Sequence, residues 1–312
     1  MNIVVTGGLG HIGSKLIRSL EQEPEVTNIL VFDSFLTQRF TSLFNLGKNS
    51  KVKFYESHVK NISKKELEIF GQITAVIHLA AMTDASGTLD RRNELFENNL
   101  GSTKHIVELC KETGTPLIFP SSTSVYGSQS ELVDETNGEL KPQSPYAECK
   151  LQEEKLVLNA FEGGLRGAVL RLGTIHGVSS GMRFHTAVNK FCFQASLGLP
   201  LTVWKTALHQ RRPYLSLDDA IRCFLFLIKR NELDGNLFNV VTANYSVSEI
   251  IDAINLCMER ECVLDFVESK IMNQLSYEVS SKKIIALGFK FTGSLNTDVM
   301  ETMELLSGLR ND

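Results

Sequence analysis

The stretch Met1-Asn2-Ile3-Val4-Val5-Thr6-Gly7-Gly8-Leu9-Gly10-His11-Ile12-Gly13 decides the fold. Asn2 to Val5 is a short apolar run rich in β-branched residues, the pattern of a buried strand. Gly7, Gly10 and Gly13 follow at a spacing of three, and Ser14 to Leu20 then carries helical periodicity. A strand that turns through glycines straight into a helix presents backbone N–H groups to a pyrophosphate. The glycines permit the tight turn, the close approach of backbone to phosphate, and close helix–strand packing. Asp33 stands twenty residues after Gly13, at the end of the apolar run Asn28-Ile29-Leu30-Val31-Phe32. A carboxylate there accepts hydrogen bonds from adenosine ribose hydroxyls and repels a 2′-phosphate.

Beyond this unit, strands and helices alternate. The pattern predicts strands at Val52 to Tyr55, Ile73 to Ala81, Leu117 to Phe119 and Gly167 to Leu172. Helices are predicted at Ser63 to Phe70, Asn93 to Thr113 (closed by Gly114) and Tyr146 to Phe161. Strands that are apolar throughout belong to a parallel sheet covered on both faces. The expected fold is therefore α/β, a Rossmann-type doubly wound parallel sheet with a smaller C-terminal substrate-binding lobe. Residues 1–172 form the dinucleotide-binding domain and 173–312 mostly the lobe, with a segment around 213–243 returning to the sheet. In the later part, Ala187 to Leu197 and Ser246 to Met258 are predicted helices, and Leu201 to Trp204 and Asn236 to Val241 predicted strands. Asp218 or Asp219 is placed to cap a helix running through Ile228.

Composition narrows the class. At 312 residues, 43% hydrophobic and 22% charged, the chain is ordinary for a globular protein with a substantial core. A net charge of −4 gives no basic footprint for nucleic acid or an anionic membrane. No apolar run approaches a spanning helix, and no n-region and h-region precede the first strand. The six cysteines show neither CxxC spacing nor a His partner at a zinc spacing, so no metal is expected and a reducing, cytoplasmic compartment is.

Tyr146-Ala147-Glu148-Cys149-Lys150 carries the second chemical signal. Spacing four on a helix puts Tyr146 and Lys150 on one face. An ammonium beside a phenol, with a nicotinamide cation nearby, lowers the tyrosine pKa from about 10 towards neutrality and makes the pair a general base. Ser121-Ser122 sits at the end of the strand upstream.

With these motifs the chain resembles the extended short-chain dehydrogenase/reductases, specifically the NAD-dependent nucleotide-sugar epimerase/dehydratase group. The resemblance runs from Thr6 to Gly13 through His78-Leu79-Ala80-Ala81, Asn98 to Ser102, Ser121 to Gly127, Pro145-Tyr146 to Lys150, Leu170-Arg171, Arg212-Pro213-Tyr214 and Lys282 to Phe289. It implies NAD as cofactor and a nucleotide-diphosphate sugar as substrate. It implies Ser122, Tyr146 and Lys150 as catalytic residues: Ser122 on the reacting sugar hydroxyl, Tyr146 as the base, Lys150 tuning Tyr146 and holding the nicotinamide ribose. The cofactor set is Gly7, Gly10, His11, Ile12, Gly13, Asp33, Leu79, Ala80 and Ala81, with Tyr146 and Lys150. The substrate set is Thr83, Ser122, Thr174, Arg183, Asn189 and Arg212, with Arg212 on the diphosphate, a task suited to a guanidinium. Asn98 matches a structural asparagine. A homodimer through the two long helices is the family's habit.

Departures from the pattern sharpen the reading. His58 stands where relatives carry an Asp for the adenine amine, and Thr174 where they carry an Asn. Thr123-Ser124 replaces the Asp-Glu pair of sugar 4,6-dehydratases, and eliminating water from C5–C6 needs an acid and a base beyond the tyrosine. Cys149 is read as packing, His11 and His176 as local hydrogen-bonders, and His185 as open. The expected activity is C4 epimerisation through a transient 4-keto sugar. The alternatives are a net oxidoreductase with exchangeable NAD(H) and a catalytically silent binding subunit.

Overall fold

A computed structural model describes residues 1–83, 91–268 and 276–309. In chain order its strands are β1 Asn2–Thr6, β2 Asn28–Asp33, β3 Val52–Glu56, β4 Ala75–His78, β5 Leu117–Ser122, β6 Leu132–Val133, β7 Gly167–Leu172, β8 Thr174–His176, β9 Leu201–Trp204, β10 Arg211–Ser216, β11 Asp234–Val240, β12 Ala243–Ser246, β13 Leu264–Val267 and β14 Glu278–Val279. The helices are α1 His11–Gln22, α2 Lys64–Glu68, α3 Arg92–Thr113, α4 Pro145–Glu162, α5 Ala187–Ser196, α6 Leu217–Arg230, α7 Val247–Met258, α8 Lys282–Ala286 and α9 Leu295–Leu305.

Seven strands form one sheet in the order β11-β7-β5-β4-β1-β2-β3, every pair parallel. The expected doubly wound sheet is thus present, and the reason lies in the strands themselves. Ile3 and Val5 pack towards Leu16, Ile17 and Leu20 of α1 and Phe224 of α6. Val4, between them, points the other way with Phe119 and Val169, towards Ile106 of α3 and Val157 of α4. Alternate residues face opposite sides of a strand, so apolar residues at every position demand helices on both faces.

Past Leu172 the chain divides. β11 completes the edge of the large sheet, whereas α5, β9, α7 and α9 share a separate apolar core with Tyr214 of β10. A three-stranded sheet, β12-β10-β8, lies between, with β8 parallel and β12 antiparallel to β10. Among the described residues no helix is long and apolar enough to cross a membrane.

Two local expectations are corrected. The apolar run Ile73 to Ala81 holds only a four-residue strand, β4. Leu79 N still donates to Thr6 O (3.0 Å), but Ala80 N turns to the Thr6 hydroxyl (3.3 Å) and the chain leaves the sheet. Neither Asp218 nor Asp219 caps α6, whose N-cap position is Ser216. Asp218 pairs with Lys15 of α1 at 2.9 Å. Asp219 is buried and accepts from the Thr242 hydroxyl (2.7 Å), Thr292 N (2.9 Å) and Gly293 N (3.0 Å), besides pairing with Arg222. It ties the end of β11 and the C-terminal segment to α6. Asp219→Ala strips these three donors and Arg222 of their acceptor and should lower the unfolding free energy by about 3 kcal/mol. Urea denaturation followed by circular dichroism measures this; a loss within error of zero would show that the carboxylate anchors nothing.

Candidate active site

The glycine turn is built by contact. Gly7 has φ +67°, and a Cβ there would lie 2.6 Å from both Ala80 N and Ala80 Cα. A Cβ at Gly13 would lie 2.5 Å from Gly7 O. No side chain could occupy either position without moving backbone. The turn delivers the N-terminus of α1, whose first turn has no side-chain cap, to a cleft of about 630 Å³. The positive end of the helix dipole and its uncapped N–H groups are suited to a pyrophosphate.

Gly7, Gly10, His11, Ile12, Gly13, Asp33, Leu79, Ala80 and Ala81 all line that cleft. Asp33 accepts from Leu9 N through Oδ2 and from Phe35 N through Oδ1, both at 3.0 Å, so it fixes the glycine turn. Each carboxylate oxygen keeps a further lone pair for a ribose hydroxyl. His58 lines the cleft too, its Nδ1 accepting from Lys60 N at 3.2 Å and its Nε2 meeting Asn98 Oδ1 at 3.3 Å. Asn98 itself lines the cleft; the structural asparagine is its neighbour Asn99, which binds both Met82 N (2.8 Å) and Met82 O (2.9 Å). His185 is exposed on the rim.

A second cavity of about 260 Å³ opens beside the first, and Ile12, Leu79, Ala81, Thr83, Ile175 and Arg183 line both. Ser122, Tyr146, Lys150, Thr174 and Arg212 line the second. Ser144 caps α4 by accepting from Ala147 N at 3.2 Å, with Pro145 in the first turn. Tyr146 and Lys150 therefore lie one turn apart at a fixed helix start. Ser122 ends β5, and its Oγ accepts from Ser124 N (3.2 Å) and the Ser124 hydroxyl (2.9 Å). Arg183 donates to the Thr83 hydroxyl at the junction of the cavities, and the Arg212 guanidinium stacks over Trp204 at 5.7 Å. No Asp or Glu lines the smaller cavity among the described residues. The Thr123 hydroxyl, one of the pair standing for Asp-Glu, is spent on Leu172 O (3.3 Å) and the Tyr277 hydroxyl (3.4 Å).

Asn189 is the one substrate-set residue outside both linings. It is buried, accepts from Gly177 N at 3.3 Å and donates to Arg183 O at 3.1 Å. Instead of a pocket donor it is a clamp on the loop that carries Arg183.

Two influences oppose each other at Tyr146. Burial pushes its phenol above the usual value, against the opposing pull of Lys150 and Arg183. Desolvation disfavours phenolate more than one neighbouring ammonium favours it. Lys150 stays above its ordinary value despite burial, because Glu153 and Tyr146 favour its charge. Cys149 is buried and its thiol is pushed up to about 12, first by burial, in keeping with a packing role. His11 donates its Nε2–H to Gly177 O (2.9 Å), and His176 Nδ1 sits 2.9 Å from Asp298.

Residues that the sequence did not single out complete the site. Arg39 lines the larger cleft and donates to Gly181 O at 2.9 Å. Its position six residues past Asp33 is its one sequence signal. Tyr277 reaches the smaller cavity from the C-terminal segment, and nothing local in the sequence marks it.

A family model described as the NAD dependent epimerase/dehydratase family matches residues 3–240, and the chain belongs to that family of enzymes. NAD is its cofactor, and the glycine cradle, the uncapped α1 and Asp33 fit it. The dTDP-D-glucose 4,6-dehydratase of Dictyostelium discoideum is 28% identical over 274 residues, covering 80% of this chain and 59% of that protein. The chain thus spans less than two thirds of that relative's length. The ADP-L-glycero-D-manno-heptose-6-epimerase of Cupriavidus pinatubonensis (strain JMP 134 / LMG 1197) is 28% identical over 249 residues, covering 77% of this chain and 72% of its own. The UDP-glucuronic acid 4-epimerase of Bacillus cereus, in complex with UDP-glucuronic acid and NAD, has the same fold. Its TM-score is 0.90 at 24% identity, over 99% of this chain and 100% of that one.

Burial holds His11 and His78 down at about 3, against an ordinary value of 6.5. A histidine depressed in the folded state binds its proton in the unfolded state first. Stability is therefore complete above pH 6.5 and falls as pH drops through the window between 6.5 and about 3. Near pH 5 each should have lost about 2 kcal/mol. Thermal melts from pH 7 to 5 should show a steep decline, shallower in His11→Phe; a flat profile would contradict neutral buried imidazoles.

Proposed function

We propose that the protein is an NAD-dependent nucleotide-sugar epimerase that inverts C4 through a transient 4-keto sugar. The observation that carries this reading is the meeting of Ser122, Tyr146, Lys150 and Arg212 on one cavity that opens into the dinucleotide cleft. NAD, when bound, supplies the hydride acceptor and, oxidised, a positive ring that favours a phenolate. Tyr146 takes the proton of the sugar 4-hydroxyl at its phenol oxygen, and returns it when the opposite configuration is made. Ser122, its Oγ already oriented by Ser124, holds the same hydroxyl. Lys150 keeps a positive charge against the phenol and holds the nicotinamide ribose. Arg212 grips the diphosphate while the sugar end turns, with Thr83, Thr174 and Arg183 around it.

The relatives and the structural neighbour are named for nucleotide-diphosphate sugars, which supports this substrate class. The absence of a carboxylate from the smaller cavity's described lining favours epimerisation over 4,6-dehydration, which needs an added acid and base. A net oxidoreductase would use the same residues and exchange NAD(H) with solvent. Purified protein should therefore carry NAD and convert a UDP-, dTDP-, GDP- or CDP-sugar to its C4 epimer, read by NMR, without net absorbance at the reduced-nicotinamide band. Accumulating reduced nicotinamide would favour the oxidoreductase. Tyr146→Phe should lower turnover by roughly 10²–10⁴-fold with NAD still bound. Undiminished turnover in that variant would sink the assignment.

The reading includes a homodimer. α3 and α4 pack side by side, and a second copy of the pair completes a four-helix interface of the kind the family uses. Arg92 on α3 and Glu148 on α4 form an ion pair that joins the two helices. Light scattering at micromolar concentration should return twice the 34.8 kDa chain mass; a monomer refutes it. Six unpaired thiols suit a reducing, cytoplasmic setting.

A further inference from the structure

Two adjacent acids on α4, Glu153 and Glu154, are buried, and the mechanism above uses neither. Their partners differ. Glu154 accepts from Arg171 Nε (3.0 Å) and Nη2 (2.5 Å) and from the Ser121 hydroxyl (2.7 Å), an ion pair closed on itself beneath β5 and β7. Glu153 turns to the reacting end. Its Oε2 lies 3.3 Å from Lys150 Nζ, with side-chain exposures of 1% and 5%. Its Oε1 accepts from the Thr103 hydroxyl of α3 at 2.5 Å. Thr103 Oγ1 meets His78 Nε2 at 3.3 Å, and His78 Nδ1 meets Thr6 Oγ1 at 2.7 Å. Thr6 Oγ1 accepts from Ala80 N, the group against which Gly7 packs.

We propose that Glu153 is a positioning residue for Lys150, anchoring its ammonium through Thr103, His78 and Thr6 to the strand ends beneath the cofactor turn and setting the charge that Tyr146 feels. The proposal rests on the reading of Tyr146 and Lys150 as the base pair.

Geometry gives Glu153 two effects of opposite sense. It fixes where Lys150 sits, since among the described residues the ammonium otherwise meets Pro120 O (3.3 Å) and the face of Phe119 (4.7 Å). It also sets an anion close to the phenol, which works against phenolate. The groups around it are Lys150 and Cys149 on its own helix, Tyr146 a turn further back, and His78 of β4 beyond Thr103. Arg183 acts on Tyr146 from the lobe, and His105 of α3 on His78. A carboxylate therefore trades some basicity of the pair for a protonated, immobile lysine. Two coupled groups lose their protons in macroscopic steps, so removing the anion lowers the first step whichever group it is assigned to.

Glu153→Gln keeps the shape and can still accept from Thr103, but has no charge. Two titrations test it: the phenolate difference absorbance of the protein with Tyr146→Phe as the blank, and kcat/KM against pH. In Glu153→Gln both should move to lower pH by about one unit or more, a charge about 4 Å away at an effective dielectric near 20 being worth up to about three. Glu153→Asp keeps the charge at longer reach and should move both the same way by less, and it serves if the glutamine variant is poorly recovered. Lowered stability with both titrations unmoved would reduce Glu153 to a structural counter-ion and overturn the proposal. A wild-type protein that turns over no sugar would sink the epimerase reading instead, leaving the absorbance titration to judge Glu153 alone.

Discussion

The approach of Gly7 to Ala80 is the constraint on which the rest of the site depends. Backbone meets backbone there, with only 2.6 Å for any Cβ, so β1 and β4 end side by side with no side chain between them. Thr6 exploits the contact: its hydroxyl accepts from Ala80 N and meets His78 Nδ1 at 2.7 Å. The turn is then free to aim α1 at the cleft, and the end of β4 is free to leave the sheet as cleft wall. A larger residue at either position would separate the strand ends and displace the helix N-terminus from a phosphate.

The two adjacent acids of α4 form two buried ion pairs that share no member. Burying an ion pair contributes little net stability, because desolvation offsets the attraction. Losing one partner is what does damage. The pairs Lys150–Glu153 and Arg171–Glu154 are accordingly better understood as devices that hold geometry. The first acts on the phenol. The second stacks Arg171 over Tyr126 at 4.7 Å, and the Tyr126 hydroxyl donates to Asp134 O (2.9 Å) and lies 3.0 Å from Asn239 Oδ1. One helix thus holds both pairs, Glu153 turning to Lys150 and to Thr103 of α3, and Glu154 to Arg171 of β7 and Ser121 of β5.

What the sequence made legible followed from local rules. The glycine spacing, the run ending at Asp33 and the four-residue step from Tyr146 to Lys150 depend on turn conformation and helical period, and these are written in consecutive residues. The sheet was legible because apolar strands at every position have one physical solution. Asn189 was not legible: its position on a helix beside the cavity is right, but its two polar atoms answer to Gly177 and Arg183, contacts fixed only by tertiary folding. Asp219 looked like a cap for the same reason, and its partners lie some seventy residues on, at Thr292 and Gly293. At Tyr146 the neighbouring charge was visible in the spacing, and the burial that opposes it was not.

The loop from Gly177 to Arg183 joins these threads. It belongs by sequence to the later part of the chain, yet it is fastened to the first turn at several points. Gly177 O accepts from His11, Gly181 N donates to Ser14 Oγ at 2.8 Å, and Gly181 O accepts from Arg39. A Cβ at Gly181 would lie 2.3 Å from Leu9 O, so the two glycine-rich loops touch backbone to backbone, as Gly7 and Ala80 do. Arg183 follows two residues later, at the junction of the two cavities. A shift of the cofactor turn would therefore move the loop, and with it the guanidinium whose charge acts on Tyr146. The cofactor cleft and the substrate cavity share a wall made from the first strands and helix and from the segment after Leu172, so neither is shaped independently of the other.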